Sequence, residues 1–183
     1  MAASSGHKST ALPLALAYAA LIAYASLYPF GDWRDQGIAP WAFLAGPGPG
    51  TWTGFAFAII AAGYVPLGFL GAVAVLRQRP DGAVAMAVAR ATAAAAALSF
   101  LMETLQSYLP ARIPSNVDWA LNTVGALGGA VLAAVLERLG GVAHWERTRS
   151  TWFIAGARGG RKFAIHRALT RFFVLAILRV SQK

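Results

Sequence analysis

Residues 99–129 read SFLMETLQSYLPARIPSNVDWALNTVGALGG and lie where two long apolar segments meet. Ionisable groups are costly to place at a membrane boundary, so each of them needs a partner or a function. This stretch therefore predicts a turn between two membrane helices and, in the same place, the candidate functional site of the chain. Five of its side chains form what we call the polar cluster: Glu103, Gln106, Arg112, Asp118 and Asn122.

The composition of the whole chain is that of a membrane protein. Of its 183 residues, 57% are hydrophobic and only 13% are charged, whereas a soluble domain carries about 25% charged residues. The chain has no cysteine, which excludes disulfide bonds and thiolate metal sites. The histidines, at positions 7, 144 and 166, fall outside the apolar segments, so we expect neither a metal site nor a cofactor within the membrane.

Four apolar segments have the length of a membrane-spanning helix, which needs about 20 residues. They cover roughly residues 11–30, 52–76, 83–108 and 117–139. Pro110 ends the third segment and Pro114 precedes the fourth, because proline disfavours a helical conformation in the residue before it. We therefore predict an all-α membrane protein with one four-helix transmembrane domain over residues 11–139.

Lysine and arginine are distributed unevenly along the chain, and this distribution predicts its orientation. Thirteen of the sixteen lie in the N-terminal segment, the second loop and the C-terminal tail, and Arg90 lies in the third apolar segment. The first and third loops hold one each, Arg34 and Arg112. Because cytoplasmic segments are enriched in these residues, we predict cytoplasmic termini, an outward-facing polar cluster and a multi-pass protein of the bacterial inner membrane. Most of the basic residues behind the net charge of +9 lie in these cytoplasmic segments, beside the anionic inner leaflet. We therefore expect no binding to nucleic acid.

The basic cytoplasmic tail, residues 140–183, permits two interpretations. Its apolar stretch at residues 172–178 would cover only about 10 Å as a helix, far short of a membrane span. The tail could lie as an interfacial helix on the lipid surface, or it could be disordered.

Helical periodicity places the polar side chains on two faces. Two sets of residues at helical spacing each share one face of the third or the fourth helix: Ser99, Glu103 and Gln106, and Asp118, Asn122, Gly125 and Gly129. Glycines on such a face allow another helix to approach closely. We expect both faces to point into the bundle interior, because a polar face toward lipid would cost several kcal/mol. If the two faces lie opposite each other, their polar groups meet near the outer surface.

Two roles for the polar cluster follow from its residue types. In a structural role, Arg112 forms an ion pair with Glu103 and Asp118 and locks two helices together, while the two amides supply hydrogen bonds. In a functional role, Arg112 binds the phosphate or carboxylate of a polar head group and one of the acids transfers a proton. Asp118 also stands in the first turn of the fourth helix, which it could cap.

Pro66 interrupts the second apolar segment about midway. Because proline removes one backbone donor, we expect a kink that neighbouring helices accommodate, with Gly68 beside it as a helix-packing residue.

The order of these residues resembles the signature of VanZ-like integral membrane proteins. That signature is Glu-x-x-Gln, then Pro-x-Arg, then Asp followed by Asn and Gly, and it matches Glu103, Gln106, Pro110, Arg112, Asp118, Asn122 and Gly125. Two shorter matches lie upstream, at residues 29–30 and 66–69. Ile60 is a departure, since the family often carries asparagine at that position.

The resemblance implies a link to resistance against glycopeptide antibiotics of the teicoplanin type, without an established mechanism. Our first hypothesis is a cell-envelope protein that binds a membrane lipid, a lipid-linked precursor or a lipophilic glycopeptide at its outer face. The second is an enzyme acting on a lipid head group, with Glu103 or Asp118 as general acid or base and Arg112 as anion clamp. The sequence shows no nucleophile–base pair and no nucleotide-binding loop in support of an enzyme. The third hypothesis is a structural accessory subunit.

Overall fold

The computed structural model describes residues 9–46, 53–78 and 84–140, and within them the chain forms four α-helices and no strand. This confirms the predicted all-helical fold. The basic tail beyond Gly140 lies outside the described residues. The helices are α1 (Ala11–Leu27), α2 (Gly54–Gln78), α3 (Val84–Gln106) and α4 (Asn116–Arg138), with a short 3-10 turn at Ala42–Ala45.

Three of these helices are long and apolar enough to cross a membrane, namely α2, α3 and α4. α1 is apolar but has only 17 residues, which corresponds to about 26 Å at the rise of an α-helix. It ends at Leu27, three residues before the predicted end, because Pro29 follows and Phe30 has a positive φ of 63°. A membrane crossing by α1 therefore stays a prediction.

α2 and α4 pack main chain against main chain. A Cβ atom added at any of three glycines would overlap with the backbone of the other helix, in the pairs Gly68 with Ala126, Gly125 with Ala61, and Gly129 with Val65. Two of the pairs, Gly125 with Ala61 and Gly129 with Val65, advance together by four residues along both helices, so α2 and α4 run parallel. Gly125 and Gly129 have the spacing of the GxxxG motif, which lets membrane helices approach closely.

The glycines of α4 face the bundle interior, and the helix that they meet is α2. α2 offers small residues of its own at two of the three contacts, Ala61 opposite Gly125 and Gly68 opposite Ala126. Close approach needs small residues on both helices, and spacing along one helix does not reveal which neighbour supplies the second set.

Pro66 lies inside α2, and the helix continues through it. Since proline has no N–H, the carbonyl group one turn earlier loses its usual donor. The Tyr18 hydroxyl of α1 donates a hydrogen bond of 2.9 Å to the Gly63 carbonyl oxygen, in the turn that the proline weakens. Tyr18 also packs, beside Ile22, against the apolar core around Tyr64. α1 thus supports the turn of α2 that precedes Pro66.

Residues 28–46, which we call the cap loop, fold back over the end of the bundle where α3 turns into α4. The Phe43 ring is 6% exposed and packs on Phe100, with ring centroids 5.6 Å apart. The Ser107 hydroxyl donates to the Pro40 carbonyl oxygen at 2.9 Å. The cap loop therefore covers the part of the bundle that holds the polar cluster.

Candidate functional site

The first turn of α4 is capped by a residue of the preceding loop and a residue of α3. Ser115 directly precedes the helix, and its Oγ accepts hydrogen bonds from the backbone N–H groups of Val117 at 3.1 Å and Asp118 at 3.4 Å. The Ser115 N–H in turn donates to Oε2 of Glu103 on α3, at 2.8 Å. In a capping box the acid three residues after the serine accepts that bond, and here that acid is Asp118. Glu103 has taken this role from a different helix.

The Asp118 carboxylate takes no part in these capping hydrogen bonds. The expectation that Asp118 caps α4 was wrong, because the Ser115 hydroxyl and Glu103 satisfy the donors that Asp118 would have met. Asp118 Oδ1 is buried and has no hydrogen-bond partner among the described residues. Glu103 is 4% exposed and close enough for the two charges to interact. A buried oxygen without a partner is rare in folded proteins and calls for an explanation.

Arg112 contacts the end of α1. Its Nη2 donates to the carbonyl oxygens of Tyr28 at 2.6 Å and Ala25 at 3.3 Å. The last carbonyl groups of a helix lack partners within the helix and form the negative end of its dipole, so a guanidinium group suits them. Both of these contacts direct Nη2 of Arg112 to α1, whereas Oε2 of Glu103 accepts a hydrogen bond from Ser115. The ion pair of Arg112 with Glu103 and Asp118 stays a prediction.

Gln106 also faces α1. Its Nε2 donates to the Ser26 carbonyl oxygen at 3.0 Å. Gln106 and Arg112, which we call the α1 clamp, together bind three carbonyl groups at the end of α1. The structure thus divides the polar cluster: Glu103, Asp118 and Asn122 lie between α3 and α4, and the clamp residues reach α1.

Buried polar side chains continue from Glu103 into the bundle. Asn122 Nδ2 donates to Ser99 Oγ at 2.9 Å, which links α4 to α3. The Tyr64 hydroxyl of α2 lies within hydrogen-bonding reach of Ser99. All of these side chains are at most 9% exposed. We call Tyr64, Ser99, Asn122 and Glu103 the polar row, and it connects three helices.

Sequence reasoning missed two residues of this site. Tyr64 carries a polar tip in the middle of an apolar helix, and a buried tyrosine usually finds a hydrogen-bond partner. Ser115 begins a Ser-x-x-Asp pattern ahead of an apolar run, which is a signal of a helix start. Both signals are present in the sequence. Among the described residues, no group of three or more acidic or histidine side chains is placed to hold a metal ion.

Apolar helices with a buried polar row near one end define a helical membrane protein. The family model described as VanZ/LLP1 matches residues 14–137, which include all five residues of the polar cluster. The chain therefore belongs to the VanZ/LLP1 family, as the resemblance in its sequence indicated. Comparisons with curated proteins and with solved structures gave no match.

Proposed function

We propose that this VanZ/LLP1-family protein binds the polar head of a membrane-resident molecule at the end of the bundle where α3 turns into α4. The molecule would be a lipid, a lipid-linked envelope precursor or a lipophilic glycopeptide of the teicoplanin type. The observation that carries the proposal is the buried Oδ1 of Asp118, which has no hydrogen-bond partner among the described residues and lies near the buried carboxylate of Glu103. Such an oxygen is available to a donor group of a ligand.

The contacts also narrow the chemistry of the ligand. Arg112 was considered as a clamp for phosphate, but two carbonyl groups of α1 accept hydrogen bonds from its guanidinium. The group left without a partner is a carboxylate oxygen, which only accepts hydrogen bonds when ionised. The proposed head group therefore presents a hydroxyl or an amine to Asp118. The same engagement of Arg112 gives no separate support to an enzyme that uses it as an anion clamp.

The proposed location is a bacterial inner membrane, with both termini in the cytoplasm and the polar cluster at the outer face. The uneven distribution of lysine and arginine supports this orientation. Because the chain has no cysteine, single cysteines can test it. Ile113, which is 89% exposed beside the site, and Lys183 in the tail are suitable positions.

In intact cells an impermeant maleimide should label Ile113→Cys and leave Lys183→Cys unlabelled until the membrane is permeabilised. Labelling of Lys183→Cys alone would reverse the orientation and place the polar cluster in the cytoplasm.

Native mass spectrometry of the gently solubilised protein tests the binding itself. We expect a bound molecule on the wild-type chain, and its mass identifies the class. Asp118→Asn should lose this molecule, because one acceptor oxygen becomes a donor. The matched control is Asp32→Asn, an acid on the exposed part of the cap loop, which should retain it. Equal retention in both variants would contradict the proposal. A wild-type chain with a stable protein partner and no bound molecule would instead favour an accessory subunit.

A further inference from the structure

We infer that α1 closes one side of the polar row and that a membrane-resident molecule reaches the row when α1 moves aside. The α1 clamp acts as the latch that holds α1 in the closed position. This inference rests on the proposed function, because it assigns the path by which the ligand enters the same site.

α1 covers one side of the polar row. Ile22 of α1 is 8% exposed and belongs to the same apolar core as Tyr64 of α2 and Ala95 of α3. Tyr18 and Ala19 pack against this core from the same helix. Because the Tyr64 hydroxyl lies within hydrogen-bonding reach of Ser99, a displacement of α1 would uncover the part of the bundle that leads to the row.

The opposite side of α1 presents apolar side chains to its surroundings. Leu12, Leu16 and Tyr24 are all exposed, by 44%, 63% and 54%. In a membrane protein such side chains face lipid. α1 therefore separates the polar row from the lipid phase, and its movement would open the row sideways to membrane-resident molecules.

The clamp holds α1 by hydrogen bonds at one end, and farther along the helix the Tyr18 hydroxyl donates one to the Gly63 carbonyl oxygen of α2. Arg112 binds two carbonyl groups at the clamped end and Gln106 binds a third, and all three acceptors belong to the main chain. Hydroxyl or amine donors of an entering head group could replace these bonds one by one. α2 and α4, in contrast, are in direct main-chain contact, which cannot be exchanged in this way. α1, which is held by side-chain hydrogen bonds and side-chain packing, is thus better suited to move than α2 or α4.

Cysteine accessibility tests the latch without any ligand. Ala95→Cys places a thiol at a position that is 1% exposed in the core under α1. Ala133→Cys, at a position in α4 that is 0% exposed, is the matched control. Each thiol is introduced into the cysteine-free chain, and its reaction with N-ethylmaleimide is followed in mild detergent.

We expect Arg112→Ala to accelerate labelling of Ala95→Cys by about tenfold or more, equivalent to about 1.4 kcal/mol of lost closure. The rate at Ala133→Cys should not change. Arg112→Lys, which keeps a charged donor, should give an intermediate rate. If Arg112→Ala fails to fold, Gln106→Ala removes only the Ser26 contact and should still accelerate labelling by about threefold, because a neutral hydrogen bond contributes less than a charged one.

Equal acceleration at both cysteines would mean general loosening and would overturn the inference, as would an unchanged rate at Ala95→Cys. The two proposals fail separately. If the chain carries a bound molecule that Asp118→Asn loses, but the labelling rate of Ala95→Cys does not change in the clamp variants, the latch is overturned and the proposed binding stands. Clamp-dependent labelling on a chain that never carries a bound molecule supports the latch and overturns the proposed function.

Discussion

The glycine face of α4 and the first turn of the same helix are held by opposite means. Along Gly125 and Gly129, main chain lies against the main chain of α2 with no side chain between them. At the first turn, the contacts run from side chain to main chain, through Ser115 and through Glu103 of another helix. The glycine face has no room for an added carbon atom, whereas the first turn retains a carboxylate oxygen without a partner.

This contrast indicates that the helix contact that stabilises the fold and the polar residues of the candidate site lie in different parts of the bundle. Lipid offers little hydrophobic drive for helices to associate, so close packing and hydrogen bonds must hold them together. The α2–α4 contact supplies that packing at positions that bear no functional group. The polar end can therefore keep Asp118 in a costly state, since the packing elsewhere stabilises the bundle.

The largest effect should follow from one methyl group on the glycine face. We expect Gly129→Ala to lower the free energy of unfolding by about 3 kcal/mol or more, because its Cβ would overlap with the Val65 main chain. The matched control is Gly128→Ala, where nothing lies within 4 Å of the added Cβ. That variant should be neutral or gain up to about 1 kcal/mol, since alanine is the better helix former. Thermal unfolding of both variants in detergent measures the difference. Equal melting temperatures would show that the α2–α4 contact does not stabilise the bundle as proposed.

A smaller decrease in the free energy of unfolding should follow from removing the Glu103 carboxylate of α3, which caps the start of α4. Glu103→Ala leaves the Ser115 N–H without its acceptor, and we expect a cost of about 2 kcal/mol. Glu103→Gln keeps an oxygen in the same place and should lose much less. Urea or thermal unfolding of the two variants measures the difference. If alanine and glutamine were equally destabilising, the charge of Glu103 and not its hydrogen bond would be the stabilising feature.

The serine cap should matter by about 1 kcal/mol, the usual value for losing such a hydroxyl. Ser115→Ala removes the acceptor for two backbone N–H groups of the first turn. Ser115→Thr retains the hydroxyl and should stay close to the wild-type melting temperature. A wild-type stability for Ser115→Ala would show that Glu103 alone fixes the start of α4.

Much of the fold could be predicted from the sequence, because long apolar segments and prolines are local signals. The turn between α3 and α4 and the residues of the polar cluster were placed by such signals. The partners were not, since helical spacing gives a shared face and does not say which neighbour it meets. Arg112 went to the carbonyl groups of α1, and the glycines of α4 met α2. Glu103, and not Asp118, accepts the hydrogen bond from the Ser115 N–H. This contact depends on how closely α3 approaches the start of α4, which the sequence does not reveal.

The most direct test of the central claim is the melting temperature of Asp118→Asn after bound lipid has been removed. The claim is that the Asp118 carboxylate is kept for a ligand and contributes little to the fold. Loss of its favourable position at a helix N-terminus and relief of its repulsion with Glu103 should nearly cancel, leaving a change of about 0.5 kcal/mol or less. We therefore predict a melting temperature within about 2 °C of the wild type. A decrease larger than that of Ser115→Ala would contradict the account and make Asp118 a structural residue.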